Sequence, residues 1–155
     1  QHRPESYGYV RARSQDPFKH PEIQPNYLAA DTDQQVILAA IKTCRKLAQT
    51  EALRPFIVNE TFPGAACQND DELLNSAREI GQSIYHLMGT CRMGNRDDKT
   101  AVVDAELRVH GIKNLRVIDA SIMPTMVSAN LNAAVMMIAE KGADMVLGKL
   151  SAKPH

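Results

Sequence analysis

Three stretches of the sequence carry side chains able to do chemistry. His86 follows Ile84-Tyr85 and opens into Gly89-Thr90, at an expected strand end. A histidine at such a junction can have one ring nitrogen fixed by the chain while the other faces a cavity, as a general base requires. Asp119 closes the apolar stretch Leu115 to Ile118, like the strand ends of α/β sheets where ligand hydroxyls are held. Asn130 and Asn132 precede a long apolar run, so one polar residue of Ser128-Ala129-Asn130-Leu131-Asn132 is expected to cap a helix. A buried helix N-terminus offers free N–H groups and a positive dipole end to developing negative charge. Each residue also has a purely structural reading: a hydrogen-bonded histidine, a turn cap, a helix cap.

Other pairings are weaker. Cys91 lies five residues from His86, close enough for contact, but only Arg92 is at hand to favour its thiolate. His86, Cys91 and His110 lack the spacing of metal ligands, so no metal site is expected. His110 precedes Gly111 in a turn and has no obvious partner, while His2, His20 and His155 sit in polar surroundings and read as surface residues.

These residues need elements to position them. Ser6 to Arg13 alternates with period two and reads as a strand, and Ile23 between Pro21 and Pro25 as a short extended edge segment. Thr32 with Gln35 has the pattern of a capping box and opens an expected helix over 32–50. Its apolar stripe is Val36, Ala40, Cys44, Leu47 and Ala48, widened by Ile37 and Ile41. Residues 55–64 read as a packed connection. A second helix starts near Asn69-Asp70-Asp71-Glu72, buries Leu73, Leu74, Ala77 and Ile80, and stops at Gly81. Residues 83–94 form a loop. Short strands are expected at 102–103, 107–109 and 115–118, then a helix from Asn132 to Leu147 whose first half is apolar nearly all round and so buried on several sides.

Composition excludes several classes. The 155 residues are 44% hydrophobic, with 18 basic and 18 acidic side chains. Zero net charge argues against a nucleic-acid binder or an anionic-membrane binder, and the ordinary apolar content against disorder. The longest apolar run, Ala133 to Ala139, is seven residues, so no transmembrane segment is expected. Three widely spaced cysteines read as reduced thiols, which with the polar, signal-free start suggests a cytoplasmic protein. The chain begins with Gln1 rather than Met, so a start inside a longer protein is expected.

Several ordered motifs cover nearly the whole chain. They are Tyr85-His86-Leu87-Met88-Gly89-Thr90-Cys91-Arg92-Met93-Gly94, Val102-Val103-Asp104 with Leu107-Arg108-Val109-His110-Gly111, and Asn114-Leu115-Arg116-Val117-Ile118-Asp119-Ala120-Ser121-Ile122-Met123-Pro124. Ser128-Ala129-Asn130-Leu131-Asn132-Ala133 and Ile138-Ala139-Glu140-Lys141-Gly142-Ala143-Asp144 follow, and Arg3-Pro4-Glu5-Ser6-Tyr7-Gly8-Tyr9-Val10 with Asp16-Pro17 comes before. Together they resemble the C-terminal part of the glucose–methanol–choline (GMC) family of flavin-dependent alcohol oxidoreductases, and within it the choline dehydrogenases and related bacterial alcohol dehydrogenases.

The resemblance implies an α+β fold: a largely antiparallel substrate-domain sheet backed by helices, and a terminal strand and helix that return to the FAD-binding domain. Residues 1–110 then belong to the substrate domain and 111–150 to the returning segment. It implies His86 as the base, or as hydrogen-bond partner of the substrate hydroxyl, and Asn130 as its companion. It places Asp119 and Ala120 at the ribityl and diphosphate region of FAD, and Asn132 and Ala133 beneath the flavin pyrimidine edge. The eight glycines include no two separated by one residue, so the Gly-x-Gly-x-x-Gly fingerprint is absent. The implied partners are a small alcohol and an N-terminal FAD-binding part of the same protein. Choline dehydrogenases tend to carry Pro-Cys where this chain has Leu87-Met88, and with no Trp and four Tyr no aromatic cage for a quaternary ammonium is identifiable. Two other readings compete: a catalytically silent interaction module, and a hydroxynitrile lyase on the same scaffold.

Overall fold

The computed structural model describes residues 2–149, and His155 lies outside them. The chain forms two compact units, Arg3–Ser83 and the residues from Ile84 onward. It contains three α-helices and one two-stranded antiparallel sheet among the described residues, in keeping with an α+β class.

In the first unit, β1 (Tyr9–Arg11) pairs with β2 (Glu22–Gln24), Val10 opposite Ile23. These two strands make up the sheet among the described residues. Tyr9 donates its hydroxyl hydrogen to Glu22 at 2.8 Å, and Arg11 stacks on the Tyr9 ring.

Helix α1 spans Asp31–Ala48. The expected capping box of Thr32 and Gln35 does not form: Ala30 holds the N-cap position, with no side-chain cap. Asp33 does a different job. It is only 1% exposed and accepts hydrogen bonds from the Glu5 and Ser6 amides at 2.9 and 2.8 Å, and from the Ser6 hydroxyl. Ser6 Oγ in turn accepts from the Ala30 amide at 3.0 Å. The apolar stripe is also rotated from the expected one. Ile37, Leu38, Ile41, Arg45 and Ala48 are half-buried, whereas Val36, Ala40, Cys44 and Leu47 are exposed. Apolar residues from Val36 to Ile41 run round the helix, so periodicity alone does not select the packed face. Arg45 can join that face because its stem packs while its guanidinium reaches Glu60 and the Gly64 carbonyl.

Helix α2 spans Asp70–Ile80, and α1 packs against it. Its start is as the sequence predicts. Asn69 accepts from the Glu72 amide, and Glu72 reaches back to the Asn69 and Gln68 amides. Leu73 and Leu74 are buried, but Ile80 is exposed. Gly81 ends the helix through close approach, not a left-handed turn: its φ is −60°, and a Cβ there would lie 2.4 Å from the Ala77 carbonyl oxygen.

The second unit is mostly irregular chain around a core of Val103, Leu107, Ile122, Met123, Leu131 and Ile138. The expected strands reduce to single pairings, Met93 with Val103, Val103 with Val109, and Arg108 with Arg116. Asp104 explains the tight turn between them. Its carboxylate accepts from the Glu106 and Arg108 amides and the Arg108 guanidinium, drawing the backbone into a loop too short for a ladder. Helix α3 (Asn132–Val146) has Leu131, not a polar residue, at its N-cap. Its first half is not buried on several sides within the described residues, since Met136 and Met137 are 61% and 56% exposed. No helix among the described residues is long and apolar enough to cross a membrane.

Candidate functional site

His86 lies in an irregular loop, not at a strand end. Its Nδ1 is 2.8 Å from the Ile84 carbonyl oxygen. A carbonyl only accepts, so Nδ1 must carry the proton, and in the neutral ring the lone pair falls on Nε2. Nε2 is buried and has no hydrogen-bond partner among the described residues. A polar atom in that state is costly unless something else completes it.

The loop after His86 is tied to the turn that follows Asp119. Gly89, Cys91 and Met93 donate their amides to the carbonyls of Ala120, Ser121 and Ile122 at 3.4, 2.9 and 2.7 Å. Gly89 has a φ of +86°, a conformation that favours glycine. Residues Ala120–Ile122 form a 3-10 turn capped by Asp119, which accepts from the Ser121 amide at 2.7 Å and from its hydroxyl. The capping reading of Asp119 is therefore met. Helix α3 packs on this turn, with Leu131 and Ile138 sharing the core of Ile122 and Met123.

Asn130 is exposed in the chain just before α3. Asn132 and Ala133 are exposed in its first turn, where no side chain caps the helix, and Asn132 Nδ2 lies 4.0 Å from the Met136 sulfur. Asp119, Ala120, Asn130, Asn132 and Ala133 thus fall in the same compact unit as His86, and of these Ala120 is hydrogen-bonded to its loop, through the Gly89 amide.

His110 does have a partner: its Nε2 donates to the Gly94 carbonyl at 3.1 Å, which makes it a structural histidine. It lines a shallow groove of about 630 Å³ with Gly94, Arg96, Glu106 and Lys113. Neither His86 nor Asn130 lines that groove, and Arg108 beside it is paired with Asp104 and Glu106. It is therefore not the seat of the chemistry considered for His86.

Arg92, which the sequence offers only as a cation beside Cys91, is placed differently by its surroundings. Its Nε is buried without a partner, and its guanidinium is 3.8 Å from Asp98. The Thr100 hydroxyl and amide hold the Asp98 carboxyl below its ordinary value, with a smaller contribution from Arg92. Among the described residues no three His, Cys, Asp or Glu side chains are grouped so as to hold a metal ion, and the three cysteines are free thiols.

The GMC oxidoreductase family model matches residues 4–139. The chain is 49% identical over 144 residues to the mitochondrial choline dehydrogenase of Homo sapiens, covering 93% of this chain and 24% of that protein. It is 46% identical to the oxygen-dependent choline dehydrogenase of Escherichia coli O127:H6, covering 93% of this chain and 26% of that protein. It therefore spans about a quarter of the length of these relatives. Among solved structures, pyridoxine 4-oxidase from "Mesorbium loti" superposes with a TM-score of 0.82 at 33% identity, over 97% of this chain and 29% of that one. An FAD-dependent oxidoreductase from Chaetomium thermophilum gives 0.84 at 30% identity, over 94% of this chain and 25% of that one. The family match covers most of the sequence, and the chain belongs to the GMC oxidoreductase family.

Proposed function

We propose that this chain is the C-terminal part of a flavin-dependent alcohol oxidoreductase that converts an alcohol CH–OH to an aldehyde or ketone. Residues 1–110 would serve the substrate domain and 111–150 would return to the FAD-binding domain, with the nucleotide-binding fingerprint elsewhere in the protein. FAD, when bound, supplies the hydride acceptor. The chain's residues fit it: α3 begins without a side-chain cap, so its first amides and dipole are available to the flavin pyrimidine edge near Asn132 and Ala133. Asp119 and Ala120 would meet the ribityl and diphosphate region.

The observation that carries the reading is His86 Nε2, a buried lone pair with no partner on a ring fixed through Nδ1. As the hydroxyl O–H bond breaks, its proton passes to Nε2. The carbinol C–H bond breaks with its electron pair, and the C=O bond forms. The imidazolium that results keeps its Nδ1–H on the Ile84 carbonyl, so the ring need not turn. Asn130 would hold the substrate oxygen without competing for the proton, since a carboxamide does not titrate near neutrality.

The relatives' names make choline the first alcohol to assay. Leu87-Met88 and the lack of Trp make an uncharged primary alcohol the necessary companion assay.

The test is His86→Ala in the full-length protein. Anaerobic flavin reduction by the alcohol is expected to slow by ~10²–10⁴-fold while flavin content stays near normal. An unchanged rate would remove His86 from the chemistry. Cyanohydrin cleavage without flavin reduction would assign the lyase reading, and no reaction with any substrate in the wild-type protein would favour the silent module.

A further inference from the structure

The geometry points to Tyr85 as a positioning residue for the base: its left-handed backbone turns the Ile84 carbonyl onto His86 Nδ1 and so reserves the lone pair for Nε2. This inference rests on the role of His86 given above. Five non-glycine residues among those described have positive φ: Asn26, Leu28, Tyr85, Leu107 and Asn114. Asparagine tolerates the left-handed region because its short polar side chain bonds locally. Leu107 lies in the core, where burial offsets the strain, and Leu28 sits in the turn closed by the Ala29 amide on the Asn26 carbonyl.

Tyr85 lies outside the core. Its φ is +62° and its side chain is 89% exposed in this chain, so burial of the ring does not hold the backbone there. Strain of this kind in a bulky residue marks a place where conformation serves function. The consequence is visible one residue later. The carbonyl before Tyr85 and the ring after it come within 2.8 Å, across a reversal that an extended Tyr85 would open. Without that hydrogen bond either ring nitrogen could hold the proton, and a ring protonated at Nε2 cannot accept another there. Tyr85 thereby acts on the tautomer of His86 through its backbone, not through contact with substrate.

Two substitutions separate backbone from side chain, since both delete the phenol. Tyr85→Gly adopts positive φ freely, whereas Tyr85→Val is β-branched and resists it. The readout is the ring-nitrogen NMR spectrum of His86 in the full-length protein, at a pH where the ring is neutral, assigned against His86→Gln. Wild type and Tyr85→Gly are expected to carry the proton on Nδ1, with flavin reduction rates within about threefold of each other. Tyr85→Val is expected to show mixed tautomers and a rate lowered by about tenfold, since a wrong tautomer disables a histidine base. A wild-type proton on Nε2 would overturn the inference, and that spectrum decides even if Tyr85→Val fails to fold. An unshifted tautomer in folded Tyr85→Val would overturn it as well. Should the tautomers shift as stated while His86→Ala reduces flavin normally, the role of the base would fall and the effect of Tyr85 on the ring would stand.

Discussion

His86 and His110 occupy similar-looking loops, and their ring nitrogens tell them apart. His110 finds a carbonyl for Nε2, while His86 spends Nδ1 on Ile84 and leaves Nε2 buried and open. Asp33 is the other residue whose role is decided by its partners. Buried and holding three donors, it ties the segment before β1 to the start of α1. Asp33→Ala leaves those donors without an acceptor and should destabilise the first unit by about 2–4 kcal/mol, read as a lowered urea midpoint. Asp33→Asn, which keeps acceptor oxygen but loses charge and one acceptor site, should fall between the two. The sequence places Asp33 near a helix start, yet gives no sign of this clamp, because Glu5 and Ser6 lie 28 and 27 positions away. His86 was legible as a candidate through its neighbours. The left-handed backbone at Tyr85 was not, since no property of a tyrosine announces it.

Elements divide by how local their causes are. The start of helix α2 is legible near Asn69 because its signal is local, an acidic first turn that the structure completes with a cap of Asn69 and Glu72. Bonds from the Gln68 and Asn69 backbone amides, in that order of weight, hold the Glu72 carboxyl below its ordinary value. A depressed carboxyl contributes stability fully above its unfolded value and loses it as pH falls through the native one. Acidification should therefore fray the start of α2, with faster amide exchange at Gln68 and Asn69 than elsewhere in the helix; in Glu72→Gln that acid dependence should vanish. The packed face of helix α1 and the single pairings of the second unit are not legible in the sequence, because both depend on what packs from a distance. Helix α3 offers a sharper test of packing. A glycine at a helix interior position ordinarily costs about 1 kcal/mol relative to alanine. A Cβ at Gly142 would lie 2.4 Å from Ile118 Cγ2, and such overpacking costs about 1–3 kcal/mol. The clash should win, so Gly142→Ala lowers the thermal midpoint, and adding Ile118→Ala should restore part of the loss if this contact is its cause.

At the scale of the molecule, the proposed function joins a quarter-length match to choline dehydrogenases with the open Met136 and Met137, since on that proposal α3 would find its remaining cover elsewhere in the protein. The 155-residue chain purified by itself should accordingly bind a hydrophobic dye and retain no flavin absorbance, whereas the full-length protein should do the reverse. The central claim is that His86 and Asn130 serve the same carbinol. It is tested most directly by a double-mutant cycle on anaerobic flavin reduction, using His86→Ala, Asn130→Ala and the pair in the full-length protein. Groups that act on one reacting centre are non-additive, so the double variant should be slower than His86→Ala by much less than Asn130→Ala is slower than wild type. Fully multiplicative losses, or an Asn130→Ala protein as fast as wild type, would contradict it.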